Sequence, residues 1–264
     1  MKKIAAIVYA FPRMEWPFLE EWCSILKDKG ISKLYLGSNY PEYRIWPKKP
    51  NKKYYHLEKN DNEIESIWKK TIEKSRRHLE IENFKIMTTN LKEDKSNHID
   101  PNDLNYHHQK QIKFVNDKIP KIARDGFEWL IACDIDEIPI ANNSLANLLK
   151  EYQKFDIISA KQIVFDSRWD KEKDFAPRKI KDIKKCNLKA VLPRKCIFKP
   201  NKILLRTIHE PINCTNIKFI DPSEFVIHHF RGIEKCKVSE LSLIKEFGSI
   251  VENPTKMIGQ IPLL

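Results

Sequence analysis

Apolar positions along this chain follow two periods, and their alternation lays out a series of elements. Ile4 to Phe11 is an unbroken apolar run of eight residues, the pattern of a strand buried on both faces. From Pro17 to Lys29 the apolar residues Phe18, Leu19, Trp22, Cys23, Ile25 and Leu26 recur at helical spacing, and Gly30 supplies the stop. Lys33 to Ser38 (KLYLGS) is a second short strand. Strand, helix and strand in so short a span make a βαβ unit, which requires parallel pairing. After a Pro- and Lys-rich loop, Asp61 to Glu80 is predicted as one amphipathic helix carrying Ile64, Ile67, Trp68, Ile72 and Leu79, and Asn83 to Leu91 as a third strand. His107 to Arg124 presents Ile112, Val115, Ile119 and Ile122 as one stripe, with a kink expected at Pro120 and the pair His107-His108 at its N-terminus.

Glu128 to Cys133 is the fourth strand. Ser144 caps a helix bearing Leu145, Leu148, Leu149 and Tyr152. Phe155 to Phe165 reads as a single strand, and Cys196–Pro200, Ile203–Ile208 and Glu224–Phe230 as further short ones, before a last helix near Val238 to Phe247. This order predicts an α/β fold: a mostly parallel central sheet flanked by helices, with a mixed C-terminal portion.

Composition narrows the class. With 264 residues, 41% of them hydrophobic, the chain fits one large domain or two small ones and builds a sizeable core. No apolar run reaches the length of a membrane-crossing helix. The N-terminus begins with two lysines and a short apolar run, as signal peptides do. Pro-Arg-Met-Glu follows in place of a small-residue cleavage site, so the run is read as a first strand of a cytoplasmic protein. The six cysteines form no CxxC pair and are expected as free thiols in a reducing compartment. The net charge of +12 is uneven: Arg178 to Arg206 holds eleven Lys/Arg against one acid, Asp182. Such a run is either a solvated face or a surface for a phosphate-bearing ligand, an anionic membrane or nucleic acid. No recognisable nucleic-acid module with interleaved aromatics accompanies it.

The chemistry concentrates in FEWLIACDIDEIPI, Phe127 to Ile140, where an apolar strand gives way to Asp134, Asp136 and Glu137. Ligands of parallel sheets bind beyond the carboxyl ends of the strands. In an extended chain, residues two apart point the same way, so Asp134 and Asp136 are expected to reach one cation. Carboxylates held this close repel each other, and a divalent ion relieves the repulsion. Oxygen ligands favour Mg²⁺ or Mn²⁺, ions that also bind substrate phosphates. The plain alternative is an acidic turn after a strand, with Asp136 or Glu137 as a cap.

A D-x-D after a buried strand resembles the signature of GT-A-fold glycosyltransferases. The closest likeness is to the bacterial family 2-like group that also resembles glycosyltransferase family 92, whose motif reads roughly D-x-D-E-F; here Ile138 replaces the Phe. Glu15-Trp16-Pro17-Phe18-Leu19-Glu20-Glu21-Trp22, ending in Gly30, is similar to that group's N-E-x-P-Y-L-x-E-W and helix. GFEWL before the acids, Lys195 to Pro200 with His209, and His228 to Lys245 resemble later motifs in the same order. The chain departs from the group in having Gly37-Ser38-Asn39 where an Asp-rich loop is usual, and Asp166-Ser167-Arg168-Trp169 where a Gly-Ser segment is usual.

The resemblance implies a single GT-A-like catalytic domain over residues 1–264, with 1–140 as nucleotide-binding half and 141–264 as acceptor-binding half. It implies a metal-dependent enzyme, using Mn²⁺ or Mg²⁺, that moves a sugar from a nucleotide-sugar, a UDP-sugar foremost, to a cell-surface glycan such as lipopolysaccharide, lipooligosaccharide or capsule. Asp134 and Asp136 are the expected metal ligands, Asp134 also touching the ribose, with Asp136 the stronger candidate for direct coordination. His209 and His229 are candidates to complete the shell, neutral imidazole suiting Mn²⁺ better than Mg²⁺; His228 would be the outward neighbour. Arg13, Glu15 and Asn39 are expected on the nucleotide. Lys195, with Arg194 or Arg231, would offset the leaving diphosphate. An inverting reaction needs a general base, for which Asp166 and then Glu210 and Asp170 are candidates. Glu137 would support the site or meet the acceptor, and Trp169 would stack on the acceptor sugar. A lipid-linked acceptor would bring the basic half to the anionic inner face of the cytoplasmic membrane, without nucleic acid as partner. Two other readings stay open on sequence: a haloacid-dehalogenase-like phosphatase, which also carries D-x-D after a strand, and a basic nucleic-acid-binding domain.

Overall fold

The computed structural model of the chain describes residues 3–40, 60–87, 104–166, 180, 186–187, 195–212 and 214–231. The apolar run at the N-terminus is β1 (Ile4–Ala10), buried along its whole length. Its side chains alternate between two cores. Ile4, Ala6, Val8 and Ala10 enter one, while Ala5, Ile7 and Tyr9 enter the other. A strand with apolar residues in both registers therefore belongs at the centre of a sheet covered on both faces.

A short helix α1 (Pro12–Glu15) follows β1, then α2 (Leu19–Asp28), β2 (Lys33–Tyr40), α3 (Asp61–Ser75) and β3 (Glu80–Met87). Gly30 takes a positive φ of 87° and closes α2. Asn60 and Glu63 form a capping box at the start of α3. The helix expected to reach Glu80 ends at Ser75, and β3 begins at Glu80. Lys33 of β2 pairs with Glu80 and Glu82 at 2.8 and 3.2 Å, which draws those residues into register beside β2 rather than into another helical turn. α4 (Leu104–Arg124) then leads to β4 (Trp129–Ala132), and Pro120 does not end that helix.

Beyond β4 come β5 (Glu137–Ala141), α5 (Leu145–Glu151) capped by Ser144, β6 (Ile157–Ala160), β7 (Gln162–Asp166) and β8 (Cys186–Asn187). They are followed by β9 (Lys195–Phe198), β10 (Leu205–Thr207), β11 (Glu210–Pro211), β12 (Ile217–Phe219) and β13 (Phe225–Arg231). The large sheet has the order β12-β6-β9-β4-β1-β2-β3 and is parallel except where β9 runs against β4 and β6. A smaller sheet has the order β5-β13-β7-β8. The single strand expected over 155–165 is two. Exposed Lys161 separates β6, in the large sheet, from β7, in the small one. One charged residue with nowhere to go in a sheet buried on both faces breaks the run.

Helices α2 and α3 share one core with the small sheet, through Trp22, Leu26, Trp68, Ile138, Val226 and Phe230. Helix α4 covers the other face through Phe114, Val115, Ile119 and Ile122. The chain runs outward from β1 through β2 to β3 and then crosses to β4 on the other side of β1. The carboxyl ends of β1 and β4 thus flank the switch point where open α/β sheets hold ligands. Cys23, Cys133, Cys196 and Cys214 are free thiols, as the unpaired spacing implies. Among the described residues no helix is long and apolar enough to cross a membrane.

Two predictions follow from this packing. A Cβ on Gly37 of β2 would lie 2.7 Å from the Phe114 ring and 2.8 Å from Ile86. Gly37→Ala is therefore expected to destabilise the fold by about 1–3 kcal/mol, read as a lower denaturant midpoint, because α4 must lift from the sheet. Asp156, at the start of β6, bonds Lys199, Lys202 and Asn216. Burial works against its charge, but these donors outweigh burial and hold its carboxyl below the ordinary value of 3.8. Stability from the cluster is complete above that value and is lost as pH falls through the lower folded-state value. Relative to wild type, Asp156→Asn should flatten that acid-side loss in a pH series of melting temperatures.

Candidate active site

The acid cluster begins where β4 leaves the sheet. Asp134 to Glu137 form a tight turn: the Glu137 N–H donates to the Asp134 carbonyl at 3.0 Å, and the Asp134 N–H donates to Glu137 Oε2 at 2.9 Å. The D-x-D is therefore not extended, and the alternation argument for its two carboxylates is corrected. A reciprocal backbone–side-chain lock sets their directions instead. Two further bonds hold the turn from outside. Trp22 of α2 donates its indole N–H to the Glu137 carbonyl at 2.9 Å, and the Phe230 N–H of β13 donates to the Asp136 carbonyl at 2.8 Å.

Strand pairing brings the other partners. β13 lies antiparallel to β5 with His229 opposite Glu137, and β7 runs beside β13 on its other edge. His229 Nε2 lies 3.4 Å from Asp136 Oδ2, and its Nδ1 lies 2.9 Å from Gln162 Oε1. β9 opens with Lys195, whose ammonium is 2.8 Å from Glu137 Oε2 and 3.4 Å from Asp134 Oδ2 at only 1% exposure. Gln111 of α4 donates to Asp134 Oδ1 at 2.9 Å. Three carboxylates thus face one lysine and one histidine.

The protonation equilibria reflect that crowding. Burial pushes the Glu137 carboxyl up to about 7, Lys195 pulling it down while Asp134 and Asp136 push it further up. Burial also works against the charge on Asp134, yet Lys195, His229 and the Gln111 bond hold its carboxyl below the usual range. Burial works against charge on Lys195 and His229 too. Asp134 and Glu137 raise Lys195 above the ordinary lysine value, and Asp136 leads the carboxylates that raise His229.

The structure gathers Asp134, Asp136, Glu137, Lys195 and His229 into one cluster, and scatters the rest. Glu137 is fully buried and bound to Lys195, so the expected acceptor contact gives way to a bracing role. Lys195 is likewise buried beneath the turn. His228, expected outward, is 1% exposed and packs edge-on to Phe230 at 6.1 Å. His209 sits in the turn between β10 and β11, where Cys196 Sγ donates to its carbonyl at 3.4 Å, and it acts electrostatically on Asp134. Asn116 of α4 clamps that hairpin, exchanging two hydrogen bonds with the backbone of Leu205 at 2.8 and 2.9 Å.

Arg13 and Glu15 follow β1 at the switch point; Arg13 is buried, and the Glu15 carboxylate accepts the Phe11 N–H at 2.6 Å. Asn39 lies within β2 at 1% exposure rather than in a loop. Glu210 is exposed and bound to Arg206. Asp166 and Arg231 end β7 and β13 as register partners. Trp169, Asp170, Arg194 and the helix expected near Val238 lie outside the described residues. Of the basic run, Lys195, Lys199, Lys202 and Arg206 all pair with carboxylates of this chain. Gln111 and Gln162 escaped the sequence reading, since an amide carries no signal until its partner is known.

Do these residues suit a divalent ion? Asp136 Oδ1 is buried with no hydrogen-bond partner among the described residues, and its other oxygen faces an imidazole nitrogen. An orphaned carboxylate oxygen beside a nitrogen donor is the chemistry of a cation site, so the pair fits. Among the described residues, however, no three His, Cys, Asp or Glu side chains converge as a ready cage.

The buried pair makes a test. Lys195→Met leaves Glu137 without its cation and is expected to cost about 3–5 kcal/mol. Adding Glu137→Gln should recover part of that loss, because both charges then go together. A double-mutant cycle by chemical denaturation measures the coupling.

A search of curated proteins finds no match. Among solved structures, a 4-diphosphocytidyl-2C-methyl-D-erythritol synthase from Anaerococcus prevotii is 12% identical, with 94% of this chain and 97% of that chain covered at a TM-score of 0.36. An apo UDP-glucose pyrophosphorylase is 10% identical, with 87% and 90% covered at 0.29. Superpositions this loose carry no argument about chemistry. The sequence model of glycosyltransferase family 92, by contrast, matches residues 54–261, most of the chain. The chain belongs to glycosyltransferase family 92 and is a glycosyltransferase.

Proposed function

We propose that this glycosyltransferase is metal-dependent and transfers a sugar from a UDP-sugar to a bacterial cell-surface glycan, lipid-linked lipopolysaccharide, lipooligosaccharide or capsule, at the inner face of the cytoplasmic membrane. The observation that carries metal dependence is the Asp136–His229 pair, with its orphaned carboxylate oxygen at the switch point of the sheet. Asp136 and His229 would hold the ion, and a nitrogen donor favours Mn²⁺ over Mg²⁺. When bound, the ion supplies charge neutralisation for the departing nucleoside diphosphate.

The chain's own residues do the rest. Asp134, held by Gln111 and Lys195, keeps a fixed carboxylate at the mouth of the switch point, suited to a ribose hydroxyl. Arg13, buried in the short helix that follows β1, is assigned to the donor. Lys195 acts through Asp134 and Glu137, lowering the cost of three neighbouring acids, rather than by touching a phosphate. His209 stands on the clamped hairpin as the second imidazole near Asp134. Asp166 is the favoured general base: β7 ends there, two register positions past Val164, the partner of His229. Glu210 is the weaker choice because Arg206 holds its carboxylate. The net charge of +12 supports work near anionic lipid. Family membership decides against the phosphatase and nucleic-acid readings.

Thermal shift with Mn²⁺ and a panel of nucleoside diphosphates provides the test. Stabilisation is expected only when the ion and the right nucleotide are both present, by about 2.7 kcal/mol at a hundredfold excess over Kd. Asp136→Ala should abolish that shift and the transfer reaction while leaving the unliganded melting temperature unchanged or higher, since one of three repelling acids is gone. No shift with any ion–nucleotide pair sinks the reading.

A further inference from the structure

We infer that Gln162 is a positioning residue that fixes the ring tautomer of His229, so that the Nε2 lone pair faces Asp136 and an incoming cation. The geometry needs only the two strands that carry the residues. Gln162 opens β7, pairs with Ile227 in register, and lies two positions from the partner of His229 on the neighbouring strand. Its side chain is 5% exposed and its Oε1 is 2.9 Å from His229 Nδ1. A carbonyl oxygen only accepts hydrogen bonds, so the ring nitrogen facing it must carry the hydrogen. The neutral ring then has its lone pair on Nε2, the nitrogen 3.4 Å from Asp136 Oδ2.

This selection opposes the intrinsic preference of the side chain. A free neutral histidine favours the hydrogen on Nε2, the tautomer that would turn an N–H toward Asp136 and close the nitrogen to a cation. Among the described residues, Glu137 Oε1 is a second acceptor near Nδ1, at 3.7 Å and beyond hydrogen-bond range, and the other oxygen of that carboxylate already serves Lys195 and the Asp134 N–H. The competing acceptor on the far nitrogen is Asp136 Oδ2 at 3.4 Å, and the shorter contact of 2.9 Å to Gln162 is taken to set the tautomer. A buried amide suits the task better than a carboxylate would, because it adds no fourth negative charge to Asp134, Asp136 and Glu137. The general logic is that of hydrogen-bonded imidazole ligands, whose far nitrogen is fixed so that the near one is presented.

The cation half of the inference rests on the proposed role of His229 as a ligand, and the experiment separates the two. Long-range ¹H–¹⁵N correlation on protein labelled at histidine, recorded at alkaline pH without metal, reports the tautomer directly, with His229 assigned by its loss in His229→Gln. Wild type is expected to show hydrogen on Nδ1. Gln162→Met should shift the ring toward hydrogen on Nε2 and weaken Mn²⁺ binding, followed by electron paramagnetic resonance with UDP present, by about 10–100-fold. Gln162→Glu keeps an acceptor and should retain the wild-type tautomer, which a merely space-filling role for Gln162 does not require. Hydrogen on Nε2 in wild type, or a Gln162→Met variant with unchanged tautomer and Mn²⁺ affinity, overturns the inference. A tautomer switch in Gln162→Met combined with undiminished Mn²⁺ binding in His229→Gln overturns instead the assignment of His229 as ligand.

Discussion

The ion pair between Lys195 and Glu137 is the constraint around which the site is built. A buried ammonium with no counter-charge is prohibitively costly, and so is a buried carboxylate. Each is tolerable here because the other sits 2.8 Å away, with Asp134 within reach of the same ammonium. That pairing lets a strand buried on both faces terminate in acids. It also explains the reciprocal turn, since Glu137 Oε2 serves both the ammonium and the Asp134 backbone N–H. The direction of the D-x-D carboxylates thus descends from a charge pair that faces no solvent.

Around that pair, the two sheets divide the labour. The large sheet supplies β4 and β9, which carry the turn and the lysine. The small sheet supplies β5, β13 and β7, which carry Glu137, His229 and Gln162. Asp136 sits where the two meet, its carbonyl bonded to β13 and its carboxylate beside the histidine. Helix α4 reaches the same place from the opposite face, with Gln111 on Asp134 and Asn116 on the hairpin that presents His209. An enzyme that must hold like charges close benefits from anchoring them on several independent elements.

The fold was largely legible. β1 announced itself by apolar residues in both registers, α2 by its periodicity and Gly30, and the βαβ order implied the parallel sheet. The location of the chemistry was legible too, because an acid cluster after such a strand falls at a switch point. What sequence could not convey were pairings of high separation. Lys195 stood among eleven basic residues, and nothing local marked it as the one to be buried. Glu137 read equally as support for the site, an acceptor contact or a cap until its partner arrived from 58 positions away. Gln111 and Gln162 resembled any polar side chain on a partly exposed element. The division of 155–165 into β6 and β7 depends on Lys161 meeting the edge of a covered sheet, a tertiary fact. The local pattern misled about the site itself, where extended geometry was assumed for residues that a side-chain bond bends into a turn, and where alternation put His228 outward though it is buried.

The antiparallel placement of β9 between two strands of an otherwise parallel sheet has a consequence for how the molecule comes into being. The acids of the turn are synthesised 61 residues before the lysine that balances Asp134. Until β9 slots between β4 and β6, the growing chain holds an incomplete sheet and an uncompensated cluster of negative charge. One event joins β6 to β4 through β9 and brings the ammonium to Asp134 and Glu137. A molecule missing that strand has neither a continuous large sheet nor an ammonium beside Asp134 and Glu137, and β12 and β13, with His229, are added to sheet and site only afterwards.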